Sequence, residues 1–342
     1  MFGGAAGLAF ITTAHRGQQR TDPSLAGVPG AGDPQLTTPS VPRADVWVFD
    51  PSQLGNTLGG TPVKIMSFFT DTPRALAVSP DRNTVYVAGF KTGNQTTALL
   101  DPTICPGFQP HTPCLNANGS ISPGGNPGPA TNVEGKPAPE ISLIVKFNNT
   151  TGHWEDELHR VWDHAVRFQL PDTDVFAIDA DTLAQTGVWS GVGTILFNLA
   201  VNPVSHHVYV SNTEAFNHVR FEGPGQFGGH TVQGHLAETH ISIIAGGTVQ
   251  PLHLNKHIDY TKLAGQPGFD ATAKDHSLAT PLDMAVTANG ATLFVAAFGS
   301  SKIGVFDTTQ LRNNSFDPRQ ASANSPAGCP RCAAPPRSRP AR

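Results

Sequence analysis

A strand–turn–strand cassette recurs along this chain, and it constrains the fold more than any other feature. One copy runs Thr72-Pro73-Arg74-Ala75-Leu76-Ala77-Val78-Ser79-Pro80-Asp81, then Thr84-Val85-Tyr86-Val87-Ala88. A second runs Leu199-Ala200-Val201-Asn202-Pro203, then His207-Val208-Tyr209-Val210-Ser211-Asn212. A third runs Thr280-Pro281-Leu282-Asp283-Met284-Ala285-Val286, then Ala291-Thr292-Leu293-Phe294-Val295-Ala296. Each is an apolar stretch, a turn rich in Pro, Asp, Asn or Gly, and a second apolar stretch, which is the pattern of a β-hairpin. A further strand type recurs five times, at 45–50, 141–147, 174–179, 240–244 and 302–307. A chain that repeats one such unit buries its apolar faces by stacking the copies.

Composition removes the competing classes. Gly 35 and Pro 30 leave few breaker-free stretches of twelve residues, so a helix bundle is excluded. With 38% apolar residues and a net charge of −4, the chain can build a core and is not disordered throughout. Gly and Pro follow no three-residue period, which excludes collagen. The small negative charge gives no electrostatic reason to expect nucleic acid or an anionic membrane as partner. No stretch approaches 18 apolar residues, so no membrane span is expected. The opening MFGGAAGLAFITTAHRG lacks a basic start and reads as a β-strand, with no recognisable signal peptide. Phe10–Ala14 within it is another copy of the second strand.

Val78, Val201 and Val286 are separated by 123 and 85 residues. Those separations are close to three and two units of about 41–42 residues, the size of one four-stranded propeller blade. The expectation is an all-β fold, a partial β-propeller of about five blades of four-stranded antiparallel sheet, over residues 1–318. The stretch around Ala165–Phe168 is expected to supply the inner part of the third blade. Insertions at about 17–42, 92–140 and 216–239 all fall between second and third strands, so they decorate one face. The corresponding link in the last blade is only Gly299-Ser300-Ser301. Residues 319–342, rich in Pro, Ala and Arg, are expected to be a disordered basic tail.

The second strands Tyr86-Val87-Ala88-Gly89 and Tyr209-Val210-Ser211-Asn212 resemble the repeats of the YVTN family of β-propellers. The segments Asn212-Thr213-Glu214-Ala215, Val219–Gly223, Gly234–Glu238 and His253–Tyr260 are similar to a bacterial subgroup of large propellers. Its members are exported and continue into a C-terminal c-type cytochrome domain with C-x-x-C-H haem sites. The resemblance therefore implies a periplasmic or extracellular setting, with a haem domain or periplasmic protein as partner. It implies c-type haem only in the full-length relatives, and no cofactor in these residues. Beyond Gln320-Ala321-Ser322 the pattern gives way to SPAGCPRCAAPPRSRPAR, which reads as out-of-frame sequence closing a fragment, or as a real disordered tail.

Lining up the second strands puts His15, Lys91, Glu214 and Gly299 at one equivalent position, followed by Arg16, Thr92, Ala215 and Ser300. His15, Arg16, Arg74, Lys91, Glu214 and Asp283 are the expected charged lining of the decorated face; solvated loop ends explain them equally well. Cys105 and Cys114 could close a loop as a disulfide in an oxidising compartment, or stand as two free thiols. Cys329 and Cys332 form a C-x-x-C followed by Ala333, without the His that haem attachment needs. His253 and His257 have a metal-helix spacing but follow Pro251, so buried imidazole hydrogen bonds are the favoured reading. His159 and His164 could pair with carboxylates. No H-E-x-x-H, G-x-S-x-G or P-loop is present, and no catalytic, cofactor or metal residue is assigned. Three readings stand open: a non-catalytic scaffold or binding module, an enzyme of lactonase or quinoprotein dehydrogenase type, and a non-functional gene remnant.

Overall fold

A computed structural model of the chain describes residues 1–14, 44–56, 58–99, 143–156, 159–166, 172–216, 235, 237–260, 262 and 267–323. His15, Arg16, Cys105, Cys114 and the residues from 324 onward lie outside them.

The fold is all-β. Phe2–Gly3 (β1), Leu8–Ala14 (β2), Ala44–Phe49 (β3) and Lys64–Phe68 (β4) form a four-stranded antiparallel sheet in sequence order. Asp71–Val78 (β5) and Thr84–Lys91 (β6) form the next hairpin, followed in the chain by Thr96–Leu99 (β7), Leu143–Asn148 (β8) and His153–Glu155 (β9). The strand beside β6 is none of these three but Val175–Asp179 (β10), with Phe176 opposite Val87, and Gln185–Trp189 (β11) completes that sheet. Ile195–Val201 (β12), Val208–Ala215 (β13), Ala237–Ala245 (β14) and Thr248–His253 (β15) form the third. Pro281–Val286 (β16), Thr292–Ala297 (β17) and Lys302–Asp307 (β18) form the fourth, continued by two short helices, Thr308–Arg312 (α1) and Pro318–Ala323 (α2).

Three apolar clusters lie between successive sheets, and they are what make the arrangement a propeller. Phe10, Val46, Val48 and Met66 of the first sheet pack on Val85, Val87, Phe176 and Ile178 of the second. Ala75, Ala77 and Val175 of the second pack on Leu196, Leu199, Val208 and Val210 of the third. Tyr209, Ile241 and Ile243 of the third pack on Leu293, Val295 and Phe306 of the fourth. Each fully buried side chain of this size contributes roughly 1.5–3 kcal/mol over its exposed state. The inner strands stand side by side, with β5 against β2 and β12, and β12 against β16. A single bridge from Lys91 to Ile195 joins the second sheet to the third.

The structure changes several of these expectations. All five copies of the recurring third strand are strands, but β8, at 143–148, belongs to a separate three-stranded sheet, β7-β8-β9. The described residues therefore hold four blade sheets and one inserted sheet with its own core of Leu99, Val145, Trp154, Trp162 and Ala165. Ala165 serves that core, not the inner strand of a blade. The second-to-third connection of the second blade accordingly runs from Thr92 to Asp174, beyond the 92–140 read from the sequence. Val78, Val201 and Val286 sit on consecutive blades, so the separations of 123 and 85 are each one blade plus its insertion. Ordered structure also continues past residue 318, because α2 buries Ala321 and Ser322.

The two ends of the blades differ. At one end the short turns touch: Gly4 N donates to Arg82 O at 2.8 Å, Ala180 N to Asn83 O at 2.8 Å, and Asn202 Nδ2 to Gly290 O at 2.8 Å. At the other end leave the connections that follow β2, β6 and β13. There Thr92 N donates to Thr194 O at 3.0 Å and Asn94 Nδ2 to Ala215 O at 3.1 Å, linking the second and third blades.

Candidate functional site

Polar side chains gather where the long connections leave the second and third blades, and they form two adjoining groups. The first is built on Asp174, the residue before β10. Its backbone continues the blade ladder, with Asp174 N donating to Trp189 O and Gly89 N donating to Asp174 O, both at 2.9 Å. Its side chain is thereby carried into the seam between blades, where it is fully buried. Oδ2 accepts from Val192 N at 2.6 Å, while Oδ1 has no hydrogen-bond partner. Burial pushes the Asp174 carboxyl up to about 8, and the charge of Asp172 adds to the effect against the Val192 amide. Asp172 is itself pushed up to about 6, by burial and then by Glu214.

The Val192-Gly193 turn that caps Asp174 needs a glycine. A Cβ on Gly193 would come within 2.2 Å of Asn212 Oδ1, and Asn212 is fixed by bonds from Nδ2 to Ser242 Oγ and Val210 O, both at 3.0 Å. Ser242 Oγ in turn donates to Val192 O at 2.6 Å, closing the network. Thr92 Oγ1 donates to Gly193 O at 2.5 Å from the other blade.

The second group surrounds Glu238 on β14, directly opposite Glu214 on β13. His240 Nε2 lies 2.8 Å from Glu238 Oε2, His235 Nε2 lies 3.2 Å from Oε1, and His253 Nδ1 lies 3.5 Å from Oε1. His240 and His253 are cross-strand partners on β14 and β15, which is why thirteen residues of separation bring them together. The Tyr260 ring lies flat on His235, with centroids 3.5 Å apart and planes inclined by 6°. Burial holds His253 down at about 4 and lowers His235 too, so both are neutral near pH 7. Burial opposes ionisation of Glu238, yet the His240 hydrogen bond and the surrounding histidines keep it below its usual value. A half-buried carboxylate ringed by imidazoles, near an aspartic acid whose pKa burial raises, is equipped to exchange protons or to hold a polar partner. Among the described residues no three His, Cys, Asp or Glu side chains are arranged to hold a metal ion.

The expected lining residues are distributed unevenly. Lys91 ends β6 at the bridge to Ile195, and Ile195 pairs with Thr213 beside Glu214, so these two positions share the decorated end. Glu214 Oε2 accepts from Thr194 Oγ1 at 3.1 Å, and burial raises its pKa. Lys146, on the inserted sheet, supplies the positive charge that acts on both Glu214 and Asp172. Arg74 is exposed and lies over the Phe90 ring at 4.7 Å. Asp283 is exposed and accepts from Asn198 Nδ2 at 2.7 Å. Asp283 and Glu214 thus take different partners.

Asp172, Asp174, Glu238 and the convergence of His235, His240 and His253 were missed from the sequence. His235 and His240 lie five residues apart, a spacing that matches no single element, and only the β14–β15 register gives His240 a neighbour in His253. His257, by contrast, bonds Ala273 O at 2.9 Å through Nε2 from a half-buried position, while His253 ends strand β15 and does not lie in a loop. His159 pairs with Glu155 at 3.2 Å, and His164 stacks on Trp162.

No family model matches the chain, and no curated protein matches it. Among solved structures it is similar to hydrazine synthase of Kuenenia stuttgartiensis, at 15% identity and a TM-score of 0.31, covering 82% of this chain and 75% of that one. It is also similar to the Cps50 (Swd1) β-propeller domain of Myceliophteria thermophila, at 8% identity and a TM-score of 0.36, covering 79% and 50%. A third likeness is to a putative 6-phosphogluconolactonase from Bacteroides uniformis, at 15% identity and a TM-score of 0.23, covering 78% and 88%.

Proposed function

We propose that the chain is a non-catalytic β-propeller scaffold that offers the decorated end of its second and third blades to a protein partner. The observation carrying this reading is the asymmetry of the two ends. Turns such as Ser79–Asn83 close one end, while the other sends out the connections after β2, β6 and β13, one of them bearing a folded sheet. A rigid scaffold with its long connections on one side is built for recognition on that side. The resemblance to exported propellers with c-type haem domains makes an exported haem protein the partner to test, with the haem carried by the partner. A photoreactive residue at Asn149 on the inserted sheet is expected to give adducts in an extract of the source cells, and one at Val204 on the turn end is not. Adducts from Val204 alone would overturn the proposal.

A second reading, a lactone hydrolase, is favoured by the Glu238–His240 contact of 2.8 Å, which is an acid–base pair in a half-buried site. Turnover of simple lactones that Glu238→Gln abolishes, with the fold intact by circular dichroism, would replace the scaffold reading with this one.

A further inference from the structure

At the turn end, away from the site above, a cleft of about 280 Å³ opens between the third and fourth blades. Its walls come from three segments: the β12–β13 turn with His207 and Ser205, the β16–β17 turn with Gly290, and α1 with Thr309 and Arg312. Tyr209, almost wholly buried, lines it as well. Two basic side chains line the cleft and no acidic one does. Arg312 and His207 are close enough for the guanidinium to depress the imidazole, after burial itself. The carboxylate just before α1, Asp307, is turned to the amides of Thr309 and Gln310 at 2.9 and 2.8 Å. The cleft walls are fixed to one another by bonds to Gly290 O from Asn202 Nδ2 at 2.8 Å and Thr308 Oγ1 at 2.7 Å. This is a preformed concavity with positive charge and several hydroxyl groups.

We propose that this cleft binds a small phosphate-bearing molecule, with Arg312 as its principal anchor and His207 as the second. Arg312 supplies the fixed positive charge of the cleft, and an anion bound beside it also favours protonation of the half-buried His207 ring, which burial and Arg312 otherwise disfavour. Donor side chains line the cleft from two separate chain segments, His207 and Ser205 on the β12–β13 turn and Thr309 and Arg312 on α1, which allows an oxyanion to be held from two sides. The volume leaves room beyond one phosphate group for a small organic body.

The test is calorimetric titration of the full chain with inorganic phosphate at low ionic strength and pH 6, with acetate in a parallel arm. One phosphate per chain is expected to bind. Arg312→Gln, an exposed position that should not affect folding, should weaken it about tenfold or more, while Lys274→Gln elsewhere on the surface should leave it unchanged. His207→Gln should weaken it as well. Absence of binding, equal losses in Arg312→Gln and Lys274→Gln, or acetate binding as tightly as phosphate would overturn the proposal. A melting curve of Arg312→Gln matching the wild type shows that its loss is not unfolding.

Discussion

Asp174 illustrates how a residue acquires a property that its chemistry alone does not give it. In solution its carboxyl would be ionised at neutral pH; in the seam between blades it keeps its proton up to about 8. The sign of the resulting pH dependence follows directly. The folded state binds more protons than the unfolded state between pH 4 and 8, so stability falls as pH rises through that window. His253 acts on the other side. Its value near 4 lies below the unfolded one, so stability is lost as pH falls from about 6.5 toward 4. Asp174→Asn keeps an acceptor for the Val192 amide and removes the ionisation. It is expected to raise the melting temperature at pH 9 by about 5 °C and to change it little at pH 5. Thermal melts across pH decide this, and an equal effect at both pH values would show that Asp174 does not titrate between the blades. None of this was legible in the sequence. There Asp174 reads as the polar flank of a recurring strand, and its burial depends on the neighbouring blade. Glu214 was legible, because it closes a second strand whose equivalents can be counted along the chain.

At the scale of elements, the hairpins were readable because each carries its own turn and its own alternation of buried and exposed residues. The partner of β6 was not readable. Two stretches, 141–147 and 174–179, have nearly the same pattern, and only packing of Phe176 and Ile178 into the first core cluster distinguishes them. The alternative strand, β8, instead pairs with β7 and β9 over Trp154 and Trp162. Bulges repeat between Pro73 and Ala75, Leu196 and Asn198, and Pro281 and Asp283, a conformation of the inner strands that spacing alone does not announce. The inserted sheet is pinned by Asp156, whose buried Oδ2 accepts from Arg160 Nε at 2.6 Å and from Trp162 Nε1 at 2.9 Å. Asp156→Ala strands the Trp162 donor and the Arg160 charge, at a cost of about 3 kcal/mol to that sheet. Trp154 and Trp162 should then show red-shifted fluorescence, while Trp47 and Trp189 in the blades hold the remainder of the spectrum in place. Loss of the blade melt in the same variant would mean that the inserted sheet is part of the main cooperative unit.

Among the described residues, the apolar clusters join each blade sheet to the next in sequence, so local change should remain local. The decorated end combines the inserted sheet, the Asp174 seam and the Glu238 histidine group on two adjacent blades. The turn end has its own cleft at Arg312. The measurement that bears most directly on the scaffold reading replaces residues 93–172 by Gly-Ser-Ser, taken from the 298–301 link that joins β17 to β18. Melting and photo-crosslinking of that variant are then compared with those of the full chain. Retained cooperative melting of the blades, together with loss of the partner adduct, is the expected result, read from a photoreactive residue at Ala215 beside the graft. Collapse of the blade melt would contradict the pairing of β6 with β10, and an adduct of undiminished yield would contradict recognition through the inserted sheet.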